Sequence, residues 1–275
     1  MTGPGGAAVV AEDFGVRGPR GWAFRSVGID APPGSLIAVE GPSGSGRSCL
    51  LLALTGRMRP TEGRAEIGGL PLPRKMAAVR QSSALGPVPG VSELDPALTV
   101  DEHLRERALL QRRFDDSLRS LLRPRAERAA AARTRIAAAL EAAGLDPAAL
   151  PSAERTPVRD LARLEALRLS IALALMGRPR LLAVDDTDLK LPAADRAAAW
   201  ALLRSVADAG TTVLAVCSQA GAAERTTVVR TGVPAHDAPV RPDGTGTDTD
   251  TTEDTGSGGD HGEGTPDAHA EAGRA

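Results

Sequence analysis

The sequence is poor in aromatic residues and cysteines, and each shortage excludes a class of protein. Its 275 residues include no Tyr and only 2% aromatic residues, too few for the base-stacking surfaces of proteins that bind single-stranded nucleic acid. No apolar run approaches the roughly 20 residues of a membrane-spanning helix. The first 14 residues lack the basic and apolar regions of a secretory signal. Cys49 and Cys217, the two cysteines, lie in apolar runs, which favours a reducing cytoplasm over a disulfide framework.

The charge is divided between a basic body and an acidic tail. Residues 236–275 carry ten acidic side chains against Arg241 and Arg274, a charge of −8, which leaves +6 for residues 1–235 within the net charge of −2. Without apolar periodicity, this tail is predicted to be disordered and of low complexity, and residues 1–235 to form one domain. Three of the four histidines lie in the tail at irregular spacing, so solvated sequence is favoured there over a metal site. Only His103 remains in the body, which argues against a Ser/His/Asp triad or a His-rich zinc site.

The body alternates short apolar runs with helix-like segments, which predicts an α/β layered fold. Residues 101–177 are rich in Ala, Leu, Arg and Glu, and we expect a helical insertion there. Ten arginines fall in residues 105–135, where a solvated helical face is favoured over a patch for nucleic acid or lipid headgroups. The predicted strands are 35–40, 181–184, 211–217 and 226–230, and the predicted helices are 49–55 and 192–209.

A glycine-rich segment between the first of these strands and the first helix carries the main chemical signal. It matches G-x-x-x-x-G-K-[ST], the phosphate loop, with Arg in place of Lys. Its glycines let backbone N–H groups surround phosphate oxygens at the positive end of a helix. The alternative is a plain Gly/Ser-rich turn, but the flanking strand and helix favour the phosphate loop. The segment consists of Gly41, Pro42, Ser43, Gly44, Ser45, Gly46, Arg47 and Ser48.

Two residues of this loop have further predicted roles. Ser48 supplies a hydroxyl for Mg²⁺. Arg47 belongs to a chain in which 31 of the 33 basic residues are Arg, so general drift toward Arg explains its presence as well as function does. A guanidinium is wider and planar where Lys is compact, so we expect nucleotide to bind with the γ-phosphate held off its usual place.

Further segments follow the loop in a specific order. Residues 56–63 read G-x-x-x-P-x-x-G, Gly68-Gly69 fits a small turn, residues 98–104 read LTVDEHL, and residues 172–186 read ALALMGRPRLLAVDD. With these motifs, residues 8–231 resemble the ATP-binding subunits of the ABC transporter family. The resemblance implies a P-loop NTPase core with an amino-terminal antiparallel β subdomain and a helical insertion. It also implies ATP and Mg²⁺ as cofactors, a membrane-spanning permease partner, and a dimer at the inner face of the membrane. A P-loop kinase is disfavoured because the sequence contains no recognisable site for a second substrate.

The resemblance also assigns roles to single residues. Asp185 is expected to hold Mg²⁺ through water, and Gln81 to touch the metal or the attacking water and to sense the permease. Either Trp22 or Phe24 is expected to stack on adenine, with a core role as the alternative for each. Cys49, directly after the loop, joins the ATP-binding residues.

Departures from the family pattern fall on the groups that hydrolyse ATP. The catalytic Glu position carries Asp186, which places a carboxylate about 1.5 Å short of the attacking water. The switch histidine position carries Ser218, and the LSGGQ signature aligns with residues 161–165, which read LARLE. The segment after Asp186 also departs from the family's D-loop. These losses together predict weak hydrolysis, with a regulatory or scaffold protein that never hydrolyses ATP as the alternative.

Overall fold

The computed structural model describes residues 5–19, 21–115, 124–187, 191–218 and 226–232. An antiparallel sheet contains β1 (Val9–Gly18), β2 (Gly21–Ala31), β4 (Glu62–Ile67) and β5 (Leu70–Leu72), in the order β2-β1-β4-β5. The turn from β4 to β5 is the predicted Gly68-Gly69 pair, and both residues have the positive φ, +57° and +83°, that glycine adopts readily.

A parallel sheet forms the centre of the body. It contains β3 (Leu36–Glu40), β6 (Ser83–Leu85), β7 (Leu181–Val184), β8 (Thr212–Cys217) and β9 (Thr226–Arg230), in the order β6-β7-β8-β3-β9. Its central strands are apolar on both faces because each face is covered by its own core. In β3, Leu36 and Ala38 pack into one core while Ile37 and Val39 pack into the other.

Two layers cover this sheet. One core lies under the helices of the insertion and of the carboxyl-terminal half, and the other lies between the parallel sheet, α1 and the antiparallel sheet. The helices are α1 (Arg47–Leu54), α2 (Met76–Ser82), α3 (Val100–Asp115), α4 (Arg125–Ala142), α5 (Arg163–Leu175) and α6 (Ala193–Asp208), with single 3₁₀ turns at Pro147–Ala149, Ala153–Arg155 and Val158–Asp160.

Local sequence explains where the insertion begins. The Glu102 carboxylate accepts hydrogen bonds from the backbone N–H and the hydroxyl of Thr99, at 2.8 Å each. This pairing caps the first turn of α3. Val100, Leu104 and Ala108 then recur at helical spacing and are buried.

The structure confirms the α/β class and, within one or two residues at most ends, the predicted strands and helices. The described part of residues 101–177 is also helical, because it contains α3, α4, α5 and three 3₁₀ turns. The predicted disorder of residues 236–275 falls outside the described residues and stays a prediction, as does the domain boundary. Within the described ranges, no helix has the length and apolar character needed to cross a membrane.

Candidate functional site

The glycine-rich loop lies at the carboxyl edge of the parallel sheet, between β3 and α1. This edge is where open α/β sheets bind ligands. Gly44 and Gly46 have φ of +81° and +80°, a left-handed conformation that side chains disfavour. Of the two, Gly44 faces open space, whereas a Cβ on Gly46 would lie 2.0 Å from the Ala23 carbonyl oxygen of β2. The loop is therefore open at Gly44 and closed against the antiparallel sheet at Gly46.

The loop presents a row of backbone N–H groups with no acceptor among the described residues. Its own bonds are few: Ser45 N–H donates to the Pro42 carbonyl at 3.1 Å, and Leu50 N–H donates to the Gly46 carbonyl at 2.8 Å. Since the row ends in the first turn of α1, the helix dipole adds positive potential. Backbone N–H groups at a helix N-terminus bind phosphate or another anion. The donors without an acceptor in this part of the chain are those of Ser43, Gly44, Gly46, Arg47, Ser48 and Cys49.

A buried hydrogen bond ties the loop to Thr231, the residue that follows β9. The hydroxyls of Ser45 and Thr231 lie 2.7 Å apart, and Thr231 N–H donates to the Glu40 carbonyl at 2.8 Å. A Cβ on Gly41 would lie 2.5 Å from both hydroxyl oxygens, so glycine is required there. The Ser45 hydroxyl thus anchors the loop. Sequence reasoning missed Thr231, which is 186 positions from Ser45 and carries no local signal.

Asp185 and Asp186 follow β7 at the same edge. The Asp185 side chain is buried at 3% exposure, and one of its oxygens accepts the Asp186 N–H at 2.9 Å. Asp186 has a φ of +49°. The next residue, Thr187, is fixed by two bonds to the Val216 carbonyl, from its N–H at 3.0 Å and its hydroxyl at 2.7 Å. The direction of the chain after β7 is therefore set by β8.

Ser48 and Asp185 offer the hard oxygen donors that suit Mg²⁺. Ser48 is exposed in the first turn of α1, and burial, together with the charge of Asp185, raises the pKa of the adjacent Cys49 thiol. The described residues contain no cluster of three or more His, Cys, Asp or Glu side chains able to hold a metal by themselves. Mg²⁺ commonly binds through one or two protein oxygens and completes its shell with phosphate oxygens and water, so this donor set fits it.

Arg47 points across the loop toward β8. Its Nη1 donates to the Cys217 carbonyl at 2.6 Å, and the guanidinium is half-buried. Glu40, the last residue of β3 before the loop, pairs in register with Cys217, the last residue of β8. The Arg47–Cys217 bond therefore links the loop after β3 to the carboxyl end of the neighbouring strand β8. Ser218 follows directly and is exposed, so the structure brings both positions to the loop.

The two aromatic candidates for stacking on adenine differ in their burial. Phe24 is 2% exposed and packs against Phe14 with ring centroids 5.9 Å apart, so it belongs to the core and is not available to stack on a base. Trp22 is partly exposed and lies within cation–π distance of two guanidinium groups, with Arg17 at 5.5 Å and Arg25 at 4.7 Å. Trp22 therefore remains the aromatic candidate of the pair.

The expected contact of Gln81 with metal or water is not supported by its position. Gln81 is exposed on α2, just before the amino end of β6. The loop and Asp185 lie at the carboxyl edge. The chain reaches this edge only at Pro87, two residues after β6, where the Pro87 carbonyl accepts the Asp185 N–H. About five extended residues, or roughly 16 Å, separate the two edges. The residue that follows Pro87 is the buried Val88, which has no side-chain amide.

The segment aligned with the signature motif forms the start of α5. Ala162 is the N-cap residue, and the Glu165 carboxylate accepts its N–H at 2.7 Å. Leu161 packs against the core. A carboxylate from this chain thus occupies the helix N-terminus, the kind of place where an anion otherwise binds.

The chain resembles known proteins both in sequence and in fold. The family profile described as "ABC transporter" matches residues 24–188. The chain is 30% identical over 186 residues to "Nod factor export ATP-binding protein I" of Cupriavidus metallidurans, covering 68% of this chain and 54% of that protein. It therefore spans about half the length of the relatives of that name.

Solved structures show the same fold at lower identity. The cbiO1 protein of Clostridium perfringens, described as part of an ABC transporter complex, aligns with a TM-score of 0.61 at 18% identity, over 82% of this chain and 86% of that one. A dimeric bacterial ABC transporter cassette aligns with a TM-score of 0.61 at 20% identity, over 82% of this chain and 95% of that one.

Proposed function

The chain belongs to the ABC transporter family, and we propose that it is the ATP-binding subunit of a membrane transporter, with weak hydrolysis of its own. The observation that carries this proposal is the row of backbone N–H groups of residues 43, 44 and 46–49, which lies at the carboxyl edge of the parallel sheet. Such a row suits the phosphate oxygens of a nucleotide, because backbone N–H groups at a helix N-terminus donate to anions.

The residues around this row of N–H groups have separate proposed roles in binding ATP and Mg²⁺. The loop N–H groups and Arg47 would bind the phosphates. Ser48 through its hydroxyl and Asp185 through water would hold Mg²⁺, which would neutralise part of the phosphate charge. Trp22 is the proposed contact for the base. The conformation of the loop is stabilised by Ser45, Gly41 and Thr231.

Weak hydrolysis follows from the groups around the expected γ-phosphate. Asp186 is a carboxylate, but it is shorter than Glu and is fixed by the Thr187–Val216 bonds, so it reaches less far toward an attacking water. Ser218 provides no cation. Stabilisation of the transferred phosphoryl is usually the largest catalytic contribution, and one missing donor lowers the rate by roughly 10²–10³.

The start of α5 bears on how this chain would pair with a second cassette. In a head-to-tail dimer of cassettes, the start of α5 would face the nucleotide of the opposite subunit. Here Glu165 would present an anion to that nucleotide. We propose that this chain pairs with a second cassette, either itself or an intact homologue, on the inner face of the membrane and beside a permease. The named relatives are ATP-binding and transporter proteins, which supports this assembly.

Titration with a fluorescent ATP analogue tests the proposal. We expect saturable binding that depends on Mg²⁺ and weakens in the Ser48→Ala variant, whose exposed hydroxyl makes no hydrogen bond to the described residues. Arg74→Lys is the matched control because Arg74 is exposed and far from the loop in the sequence. Binding that is absent, or that is indifferent to Mg²⁺ and to Ser48→Ala, would refute the proposal.

A second candidate is a nucleotide-binding regulatory protein that does not hydrolyse ATP. The Glu165 cap on α5 favours it, because that bond removes a donor from the place that would serve an opposing nucleotide. Mixing the chain with an intact cassette discriminates the two: phosphate release that appears only in the mixture supports a transporter heterodimer.

A further inference from the structure

We propose that Arg57, Arg80 and Arg107 form a second binding site, separate from the nucleotide loop, that takes an acidic segment of a partner protein. The three side chains lie at the amino edge of the parallel sheet, whereas the loop lies at the carboxyl edge. Arg57 and Arg107 are half-buried, and Arg80 is exposed. The site goes beyond the proposed function, since the nucleotide would bind at the opposite edge.

Backbone carbonyls hold two of the guanidiniums at the same place. Arg57 Nη1 donates to the Thr55 carbonyl and to the Ser83 hydroxyl, at 3.0 Å each, and Ser83 is the first residue of β6. Arg80 Nη1 donates to the Gly56 carbonyl at 2.8 Å. Because Thr55 and Gly56 are consecutive at the carboxyl end of α1, both guanidiniums lie at that end of the helix.

The third guanidinium comes from α3. Arg107 Nε donates at 3.0 Å to the carbonyl of Leu173, in the last turn of α5. One turn later in α3, the Gln111 amide nitrogen lies 3.2 Å from the position that a Cβ on Gly177 would take. This part of α3 therefore follows the end of α5 toward the amino end of β7.

The positive charge of this cluster is not neutralised by the part of the chain that the structure describes. In those ranges, no carboxylate lies within ion-pair distance of any of the three arginines. Burial, and then the charges of Arg80 and Arg107, lower the pKa of the Arg57 guanidinium, as expected for like charges. The carboxyl ends of α1 and α5 each contribute about half a negative charge, so about two positive charges remain. A bound anion would relieve this repulsion.

The remaining donors of the cluster are accessible to a ligand. Arg80 and Arg107 each use one of their five N–H donors in the bonds described above. Among the described residues, none of their other donors is a fully buried atom without a partner, so these donors face solvent. A guanidinium donates to a carboxylate through two parallel hydrogen bonds, and the backbone bonds already orient the three groups.

The surroundings of the cluster favour a protein segment over a lipid surface or a nucleic acid. Because two of the three guanidiniums are half-buried, a single acidic side chain can reach them where a flat bilayer or a duplex cannot. Leu110, three positions after Arg107 on the same helix, is 41% exposed and offers an apolar contact beside the charges. Protein interfaces are enriched in Arg and bury apolar side chains at their centre.

Fluorescence anisotropy of a labelled hexaglutamate peptide, measured on the full chain in about 50 mM salt with saturating Mg-ATP, tests the proposal. We expect hexaglutamate to bind and hexaglutamine not to bind. Arg107→Gln should weaken binding about tenfold, and Arg80→Gln about two- to fivefold, since Arg80 is exposed. Arg105→Ala is the matched control and should change little, because it removes an equal charge from an exposed position of α3 that pairs with Asp101.

Arg80→Glu gives a second readout that does not depend on the peptide. Its carboxylate would stand beside Arg57, so this variant should be more stable than Arg80→Gln in urea unfolding and should no longer bind hexaglutamate. Equal stability of the two variants would contradict the charge repulsion on which the site rests.

The proposal is wrong if hexaglutamate does not bind, or if it binds wild type, Arg80→Gln and Arg107→Gln equally. It is also wrong if phosphatidylserine vesicles, and not the peptide, bind in a way that depends on Arg80 and Arg107. Failure of wild type to bind ATP would refute the proposed function alone, since the peptide titration can be repeated without nucleotide.

Discussion

The two left-handed glycines of the loop allow a closely matched test of how the loop is built. Gly44 and Gly46 have nearly equal φ, +81° and +80°, so a methyl group at either position costs about 1–2 kcal/mol of backbone strain. Their surroundings differ. The new Cβ at Gly44 meets nothing within 4 Å, while at Gly46 it lies 2.0 Å from the Ala23 oxygen and 3.2 Å from the Phe24 Cβ.

The added cost at Gly46 comes from a collision with backbone, which cannot be relieved by rotating a side chain. Overpacking of this kind typically costs about 1–3 kcal/mol beyond the strain. We therefore expect Gly44→Ala to lower the free energy of unfolding by about 1–2 kcal/mol and Gly46→Ala by about 2–5 kcal/mol. The clash also means that a bulky residue at position 46 would impair binding by displacing β2 from the loop, before any effect on the approach of phosphate.

Urea unfolding of wild type and both variants, followed by circular dichroism, measures the difference. Equal slopes with different midpoints would show that only stability has changed. Equal stability of Gly44→Ala and Gly46→Ala would refute the packing of the Ala23 carbonyl against the loop.

Three other predictions concern the surroundings of the loop and the tail. Thr231→Val should destabilise the protein by about 1–3 kcal/mol by leaving the buried Ser45 hydroxyl without its partner, and adding Ser45→Ala should recover part of that loss in urea unfolding. Because burial and then the charge of Asp185 raise the pKa of Cys49, its alkylation by iodoacetamide should require a higher pH than that of a free thiol, and Mg-ATP should slow it further; fast labelling at neutral pH would contradict this. Truncation after Ala235 should change the free energy of unfolding by no more than about 0.5 kcal/mol, and a larger loss would show that the acidic tail contributes to the fold.

The central strands could be predicted from the sequence because their signal is local. Residues 181–184 and 212–217 are continuous apolar runs, as expected for strands buried on both faces, and Gly34 and Gly41 bracket β3. The loop was identified for the same reason, since its glycine spacing and its flanking elements lie within one short segment.

The parts that could not be predicted depend on distant or weakly patterned residues. The position of Gln81 before β6 could not be predicted because β6 has only three residues, too few for a periodic pattern, and a short helix precedes it. The Ser45–Thr231 and Arg47–Cys217 bonds join residues 186 and 170 positions apart. By contrast, the Glu165 cap had a local signal, a Glu three residues after the N-cap position.

Phosphate release from Mg-ATP by the purified chain tests the central claim most directly. The account predicts little or no release above the protein-free blank. Arg47→Lys, Asp186→Glu and Ser218→His together with an SGGQ sequence at residues 162–165 should raise turnover far more than any one change, because groups that act as a unit are not additive. Sustained release from the unaltered chain, abolished by Asp186→Asn, would contradict the account and would make Asp186 a working catalytic carboxylate.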